Sequence, residues 1–201
     1  MSDIPILLLA AGSSSRMRGR DKLMEEVDGA PLITRAAGIA RAATEGAVLV
    51  ALPSPPHPRY DALSGMEITP VPVAEAAEGM GASIRTGVAS LPPDARAVMI
   101  LLADLPDLTV EDLKTVLRAI KEQPDKRVWR GATMENQPGH PIVFAAPLFP
   151  ELAALRGDEG GRAVVAACGN GVCLVPLPDA HARADLDTPE AWAAWRAARG
   201  G

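Results

Sequence analysis

Short unbroken apolar runs alternate with amphipathic stretches along most of this chain. Ile4 to Ala11, Ala47 to Leu52, Glu67 to Val73, Ala97 to Ala103, Lys126 to Gly131, Pro141 to Phe144 and Val172 to Pro176 read as short strands, the most apolar of them buried on both faces. Between them, Pro31 to Ala43, Gly81 to Leu91, Thr109 to Glu122, Pro147 to Leu155 and Gly161 to Ala167 carry helical periodicity. Several of these place a proline near the first turn, where its missing N–H costs nothing. Thr188-Pro189-Glu190 starts a last helix, with Thr188 as N-cap and Pro189 at the first helical position. Strands alternating with helices predict an α/β fold: a mostly parallel sheet with helices on both faces. No repeat, linker or low-complexity segment interrupts the pattern, and Pro53 to Pro58 is a proline-rich loop.

At 201 residues the expectation is one domain spanning 1–201, able to bury roughly 70% of its unfolded surface. Aromatics make up only 3% of the chain, which suits helices packed closely on a sheet and offers no stacking platform for single-stranded nucleic acid. A formal net charge of -5 also argues against a nucleic-acid partner. The first apolar run follows Asp3 and lacks a basic lead, so it does not read as a signal peptide, and no stretch approaches the ~20 apolar residues of a membrane span. A soluble cytoplasmic protein is expected. Cys168 and Cys173 lack zinc-site spacing and read as small packing residues, and His57 and His181 complete no metal set with them.

Chemistry is concentrated after the first strand. Gly12-Ser13-Ser14-Ser15 is a small-residue loop through which backbone N–H groups can approach a ligand, and Arg16, Arg18, Arg20 and Lys22 follow within seven positions. Crowded cations beside such a turn, in an acidic chain, point to a small anionic ligand, although a solvated basic loop would share the composition. Two well-known phosphate loops do not fit. The dinucleotide fingerprint needs G-x-G-x-x-G, but Gly12 is followed by Ser13-Ser14; the Walker A loop needs Gly-Lys adjacent, but Arg20-Asp21 separate Gly19 from Lys22.

Ligands collect at the carboxyl ends of strands in open parallel sheets. Asp104 immediately follows the apolar run Val98 to Leu102 and Ala103, which puts a carboxylate at the same edge as the basic loop, where it could hold magnesium against phosphate oxygens. An aspartate before Pro106 also suits an ordinary turn. Asp107 fits a turn or cap better, since it precedes Thr109 and the helix after it. Asp185 and Asp187 lie just before the positive end of the last helix, a position that favours carboxylates on dipole grounds alone.

Leu9-Ala10-Ala11-Gly12-Ser13-Ser14-Ser15-Arg16-Met17 resembles, position by position, the L-A-[AG]-G-x-S-x-R-M signature of the MobA-like nucleotidyltransferases. Arg18 stands where that family usually has glycine, and the longer spacing to Lys22 resembles its R-M-G-G-x-D-K variant, with Gly19, Asp21 and Lys22 in place. Asp104-Leu105-Pro106 resembles the family's metal-binding D-x-P, and Asp185 to Glu190 its D-[IL]-D-T-P-E element. Gly79 to Val88 resembles its G-M-x-x-S-[LIV]-x-x-G segment; apart from the family, Gly81 and Ser83 would equally suit a helix start with a capping hydroxyl. Gly139-His140-Pro141 and Gly157 to Arg162 resemble the second-substrate side of the molybdenum cofactor branch, although a surface arginine would explain Arg162 as well.

The resemblance implies a three-layer, Rossmann-like nucleotidyltransferase fold of the nucleotide-diphospho-sugar transferase type. By similarity, Leu9, Ala10, Ala11, Gly12, Ser13, Arg16, Lys22, Gly81 and Ser83 would bind the nucleotide; Asp104 and Asp187 would share one Mg²⁺; and Arg16, Lys22 and Asp104 would serve catalysis. His140, Asp158 and Arg162 would face a second substrate. The implied reaction is transfer of CMP from CTP to the phosphate of a molybdopterin cofactor, with pyrophosphate released, for delivery to a molybdoenzyme client. Ala11 tilts the base preference to cytidine, because the family's Leu-Ala-Ala-Gly form is associated with CTP and its Leu-Ala-Gly-Gly form with GTP. The loop would also serve guanylyl transfer to molybdopterin or transfer to a sugar phosphate. A carrier that merely binds and passes on molybdopterin would have no use for a metal site facing a triphosphate loop.

Overall fold

A computed structural model describes residues 3–158 and 160–199. Its centre is β1 (Ile6–Leu9), whose four residues are all buried and alternate between two apolar clusters: Ile6 and Leu8 on one face, Leu7 and Leu9 on the other. A tight hairpin, β2 (Glu26–Val27) and β3 (Ala30–Pro31), leads into α1 (Leu32–Ala43). The chain continues through β4 (Val48–Pro53), α2 (Pro58–Ala62), β5 (Thr69–Val73), α3 (Met80–Ala89) and β6 (Ala97–Leu102). It then forms α4 (Val110–Glu122), β7 (Val128–Ala132), β8 (Pro138–Ala145), α5 (Phe149–Ala153), α6 (Arg162–Ala167), β9 (Val172–Pro176) and α7 (Pro189–Ala198).

Seven strands form one sheet in the order β5-β4-β1-β6-β8-β7-β9. All neighbours pair parallel except β8, which runs antiparallel to both β6 and β7. Residues of α1, α4 and α7 pack in the cluster on one face, and residues of α3, α5 and α6 in the cluster on the other. The expected α/β architecture is therefore present. From β1 the chain steps outward to β4 and β5, then returns to β6 on the other side of β1. That reversal is a topological switch point, so the loops after β1 and β6 flank a natural ligand crevice.

Several elements differ from the sequence expectation. The first strand is two residues shorter at each end than Ile4 to Ala11, although the Ala10 N–H still donates to Ala51 O at 2.9 Å. The α2 helix was not expected; its Pro58 occupies the first turn and His57 accepts from the Arg59 backbone N–H. Pro147 to Leu155 divides into a 3₁₀ turn, Ala146–Leu148, and α5. Asp107 does not cap α4. Thr109 does, in a reciprocal box: its Oγ1 accepts from the Asp112 N–H while Asp112 Oδ2 accepts from the Thr109 N–H. Thr109→Ala is expected to cost about 1 kcal/mol, read as a lowered denaturant midpoint. Asp107 instead accepts from the Trp195 indole at 3.0 Å and so ties α7 to the loop after β6.

Candidate active site

The loop that follows β1 turns on two left-handed residues, Ser14 and Arg18, both at φ 53°, with Gly19 at φ 86°. Between them Ser15–Met17 forms a 3₁₀ turn that buries Met17 completely, so the loop is anchored to the core by one side chain. Among the described residues, the backbone N–H groups of Gly12, Ser13 and Ser14 donate to no protein acceptor. Successive free N–H groups at such a turn make an anion-binding concavity.

Arg59 holds this loop from below. It is 1% exposed, and its guanidinium donates to Ala10 O (2.6 Å), Gly12 O (2.9 Å) and both carboxylate oxygens of Asp21 (2.7 and 2.8 Å). Asp21 in turn accepts from the Leu23 N–H and caps the turn that carries Lys22. Burial opposes ionisation of Asp21, but Arg59 outweighs it and holds the carboxyl below its ordinary value. The sequence reading missed Arg59 because it lies past a proline-rich loop with no motif spacing. The available signal was position: it follows β4 at the same sheet edge as Gly12 and Asp104.

Lys22 points into the crevice. Its Nζ lies 2.5 Å from Asp104 Oδ2 and 2.6 Å from Asp187 Oδ1, with all three side chains mostly buried. Asp187 Oδ2 also accepts from Arg16 Nη2 at 2.7 Å. Burial works against charge on Lys22, yet the two carboxylates prevail and raise its pKa, so the ammonium is fully charged at neutral pH. Burial likewise opposes ionisation of Asp187, and Lys22 and Arg16 lower its pKa regardless. Asp185 moves the other way, raised by burial and then by Asp187 and Asp104. Asp187 keeps its place because Thr188 caps α7, accepting from the Ala191 N–H at 3.1 Å.

These groups line one cavity of about 1020 Å³. Leu9 to Ser13, Arg16, Lys22, Asp104 and Asp187 border it, as do Ser83 and Asp158. Ser83 is not a cap: the helix begins at Met80, with Gly79 as N-cap, and Ser83 lies one turn inside it. Its hydroxyl makes no hydrogen bond among the described residues. Gly81 does not border the cavity. A Cβ there would stand 2.8 Å from Gly157 O, to which its own N–H donates at 2.9 Å, so Gly81 permits a close backbone crossing. Gly79, at φ 125°, faces the Asp158 carboxylate where any Cβ would collide. Asp158 therefore stands beside α3 on this cavity, which His140 and Arg162 do not line. Glu159, within the same motif, lies outside the described residues.

Two of the four loop cations turn away from the cradle, Arg18 to Glu190 (2.5 Å) and Arg20 to Glu25 (3.0 Å). His140 sits at the start of β8 with a buried, unpartnered Nδ1. Burial and then Arg130 lower its pKa to about 4 against an opposing pull from Asp104, so the ring is neutral near pH 7.

A mostly parallel sheet with a cation-bearing loop and a carboxylate pair at its switch point defines the class: this is a nucleotidyltransferase fold. The chain belongs to the MobA-like NTP transferase domain family, whose model matches residues 6–172. Asp187 and α7 lie beyond the matched segment. Over 195 residues, 93% of this chain and 95% of the relative, it is 28% identical to a probable molybdenum cofactor guanylyltransferase from Synechococcus elongatus. It is 31% identical over 118 residues to the purine catabolism protein PucB of Bacillus subtilis, an alignment spanning 58% of this chain and 55% of PucB. Among solved structures, a homologue of the Mycobacterium tuberculosis protein Rv0371c, from Mycobacterium sp. strain JC1, superposes with a TM-score of 0.85 at 22% identity, covering 98% of both chains. Rv0371c itself, solved in complex with manganese, gives 0.78 at 22% identity over 96% of this chain and 97% of that one. No helix among the described residues is long and apolar enough to cross a membrane.

Proposed function

We propose that this nucleotidyltransferase moves CMP from CTP to the phosphate of a molybdopterin cofactor in the cytoplasm, with Mg²⁺ as its metal, and supplies a molybdoenzyme client. The observation that carries the reading is the Lys22 ammonium clamped between Asp104 and Asp187 beneath a loop of free N–H groups.

The donor set suits Mg²⁺. Asp104 Oδ1 is buried without a partner, and both aspartates already converge on one cationic point. Two hard carboxylate ligands are what Mg²⁺ commonly takes from a protein when substrate phosphates and water complete its shell. A divalent cation on Asp104 and Asp187 would supply charge neutralisation and Lewis-acid polarisation at the α-phosphoryl group. The manganese complex of Rv0371c gives the divalent assignment support from a fold relative.

The protein's own groups do the rest by positioning. The Gly12–Ser14 N–H groups receive phosphate oxygens, and Lys22 and Arg16, released from Asp187, clamp the triphosphate. An oxygen of the acceptor phosphate forms a bond to the α-phosphorus as the bond from that phosphorus to the bridging oxygen breaks, and pyrophosphate leaves. No general base is required, because a phosphate monoester is already largely ionised near neutrality. The Ser83 hydroxyl is free for the base, and Ala11, 5% exposed, forms the cavity wall at the position associated with cytidine. Guanylyl transfer is the second reading, favoured by the name of the Synechococcus relative.

Calorimetric titration of CTP and GTP into the full chain with Mg²⁺ separates the two readings. CTP is expected to bind at least about ten-fold tighter, a difference of about 1.4 kcal/mol. Tighter binding of GTP would overturn the cytidylyl reading in favour of the guanylyl one.

A further inference from the structure

Lys22, Asp104 and Asp187 meet in the crevice from three separate parts of the chain: the turn after β1, the loop after β6 and the approach to α7. Each is tied to α7 within three residues. Asp187 directly precedes Thr188, the N-cap of that helix. Glu25, three residues past Lys22, closes the lysine's turn by donating its N–H to Lys22 O and accepts from Arg196 Nη2 at 2.8 Å. Asp107, three residues past Asp104, accepts from the Trp195 indole N–H at 3.0 Å on both carboxylate oxygens. The Leu186 N–H also donates to the Asp104 carbonyl at 3.3 Å, which joins the two carboxylate-bearing segments directly.

The helix presents these contacts because Trp192, Trp195, Arg196 and Arg199 recur at i, i+3, i+4 and i+7, on one face. Trp192 is 1% exposed and packs in one cluster with Leu105, Leu108 and Leu186, and Trp195 packs against that cluster, edge-on to Trp192 at 5.9 Å. The Arg196 guanidinium lies 5.0 Å over the Trp192 ring. A stacked guanidinium still donates in its own plane, so the indole holds Arg196 where it meets Glu25. Glu25 is mostly buried, and its other oxygen accepts from Arg20 at 3.0 Å. Such contacts do little for stability, since a half-exposed arginine pair is worth little and Trp192 carries the burial of α7. They do much for geometry: a misplacement of about 1 Å can cost on the order of 10²-fold in rate where groups must converge on one reacting centre.

We propose that Arg196 and Trp195 are positioning residues, through which α7 holds the Lys22 turn and the Asp104 loop in register with Asp187. The proposal rests on the nucleotidyl-transfer reading and adds to it two side chains that do not line the cavity. Arg196 acts through Glu25 on Lys22, and Trp195 acts through Asp107 on Asp104.

The test compares Arg196→Met and Trp195→Phe, which keep apolar bulk and remove the donors, with Arg196→Lys and with Arg96→Met, which breaks an exposed ion pair to Asp3 ahead of β6. Mn²⁺ binding is followed by electron paramagnetic resonance and CTP binding by calorimetry, both on the full chain. Trp195→Phe is expected to weaken Mn²⁺ about ten-fold and Arg196→Met to weaken CTP about ten-fold. Arg196→Lys, which keeps a cation for Glu25, should bind CTP better than Arg196→Met, and Arg96→Met should match the wild type. The thermal midpoint of Arg196→Met should fall by less than about 4 °C. Amide exchange reads the brace with no ligand present: residues 22–25 should exchange about ten-fold faster in Arg196→Met, and residues 185–188 in Trp195→Phe. In a chain that binds both ligands, unchanged affinities in these two variants overturn the proposal whatever the exchange shows, and so does an equal loss in Arg96→Met. A wild-type chain that binds neither Mn²⁺ nor CTP refutes the nucleotidyl-transfer reading, and exchange then decides the brace: faster exchange at these segments supports it, and wild-type rates overturn it.

Discussion

Asp104→Ala is expected to cut pyrophosphate release by on the order of 10²-fold or more at saturating nucleotide, with the fold retained. The aspartate caps no helix, and its carboxylate serves only the crevice, contacting Lys22 at 2.5 Å with its second oxygen left unpartnered. Alanine would leave Lys22 paired to Asp187 alone and remove one of two carboxylates able to hold a divalent cation. Nucleotidyl transfer gives a protein little covalent work, so neutralising charge that grows on the phosphates is the main contribution available to it. The loss should therefore appear in kcat more than in KM for the nucleotide. Steady-state kinetics across a magnesium series make the comparison, and turnover within about three-fold of wild type would refute the role, since a metal's electrostatic contribution is worth several kcal/mol.

Arg59→Met is expected to destabilise the chain by about 3–5 kcal/mol, because breaking a buried ion pair strands its partner and the hydrogen-bond acceptors around it. Here the stranded groups are the Asp21 carboxylate and the carbonyls of Ala10 and Gly12. The variant should also bind nucleotide weakly, since the N–H groups of the loop lose the anchor that aims them. Acid unfolding supplies an independent signature. Arg59 holds the Asp21 pKa below its ordinary value, so in the acid range the unfolded state binds the more protons. That contribution is fully present above about pH 4 and is lost as pH falls through the depressed folded value. The gap in urea midpoint between wild type and variant should be widest at neutral pH and narrow below about pH 4, without closing, because the bonds to the Ala10 and Gly12 carbonyls do not titrate; a constant gap would contradict the Asp21–Arg59 account.

What the sequence made legible follows from how local each signal is. Buried parallel strands are continuous apolar runs, so β1, β4 and β6 stand out, and a carboxylate directly after such a run marks the sheet edge, as Asp104 does. Thr188-Pro189 marks a helix start by chemistry confined to two residues. The direction of β8 was not legible, because an apolar run has no polarity; only its tight return from β7 makes it antiparallel. Partner choice was equally hidden. Arg16, Arg18 and Arg20 look alike in a loop, yet they pair with Asp187, Glu190 and Glu25, all distant in sequence except Glu25. Arg59 shows the limit most clearly: its role depends on a guanidinium reaching carbonyls nearly fifty residues earlier, and nothing in the spacing announces that. The place of Asp158 was hidden as well, since Gly157 has a positive φ and turns the chain back toward Gly79, which brings the aspartate to the cavity beside the β1 loop.

The most direct test of nucleotidyl transfer is to incubate the chain with molybdopterin, Mg²⁺ and either CTP or GTP, and to identify the product by mass. The account predicts a pyrophosphate-linked cytidine dinucleotide of molybdopterin formed with CTP, together with equimolar pyrophosphate. Molybdopterin recovered unchanged with both nucleotides, from protein that binds CTP, would contradict it.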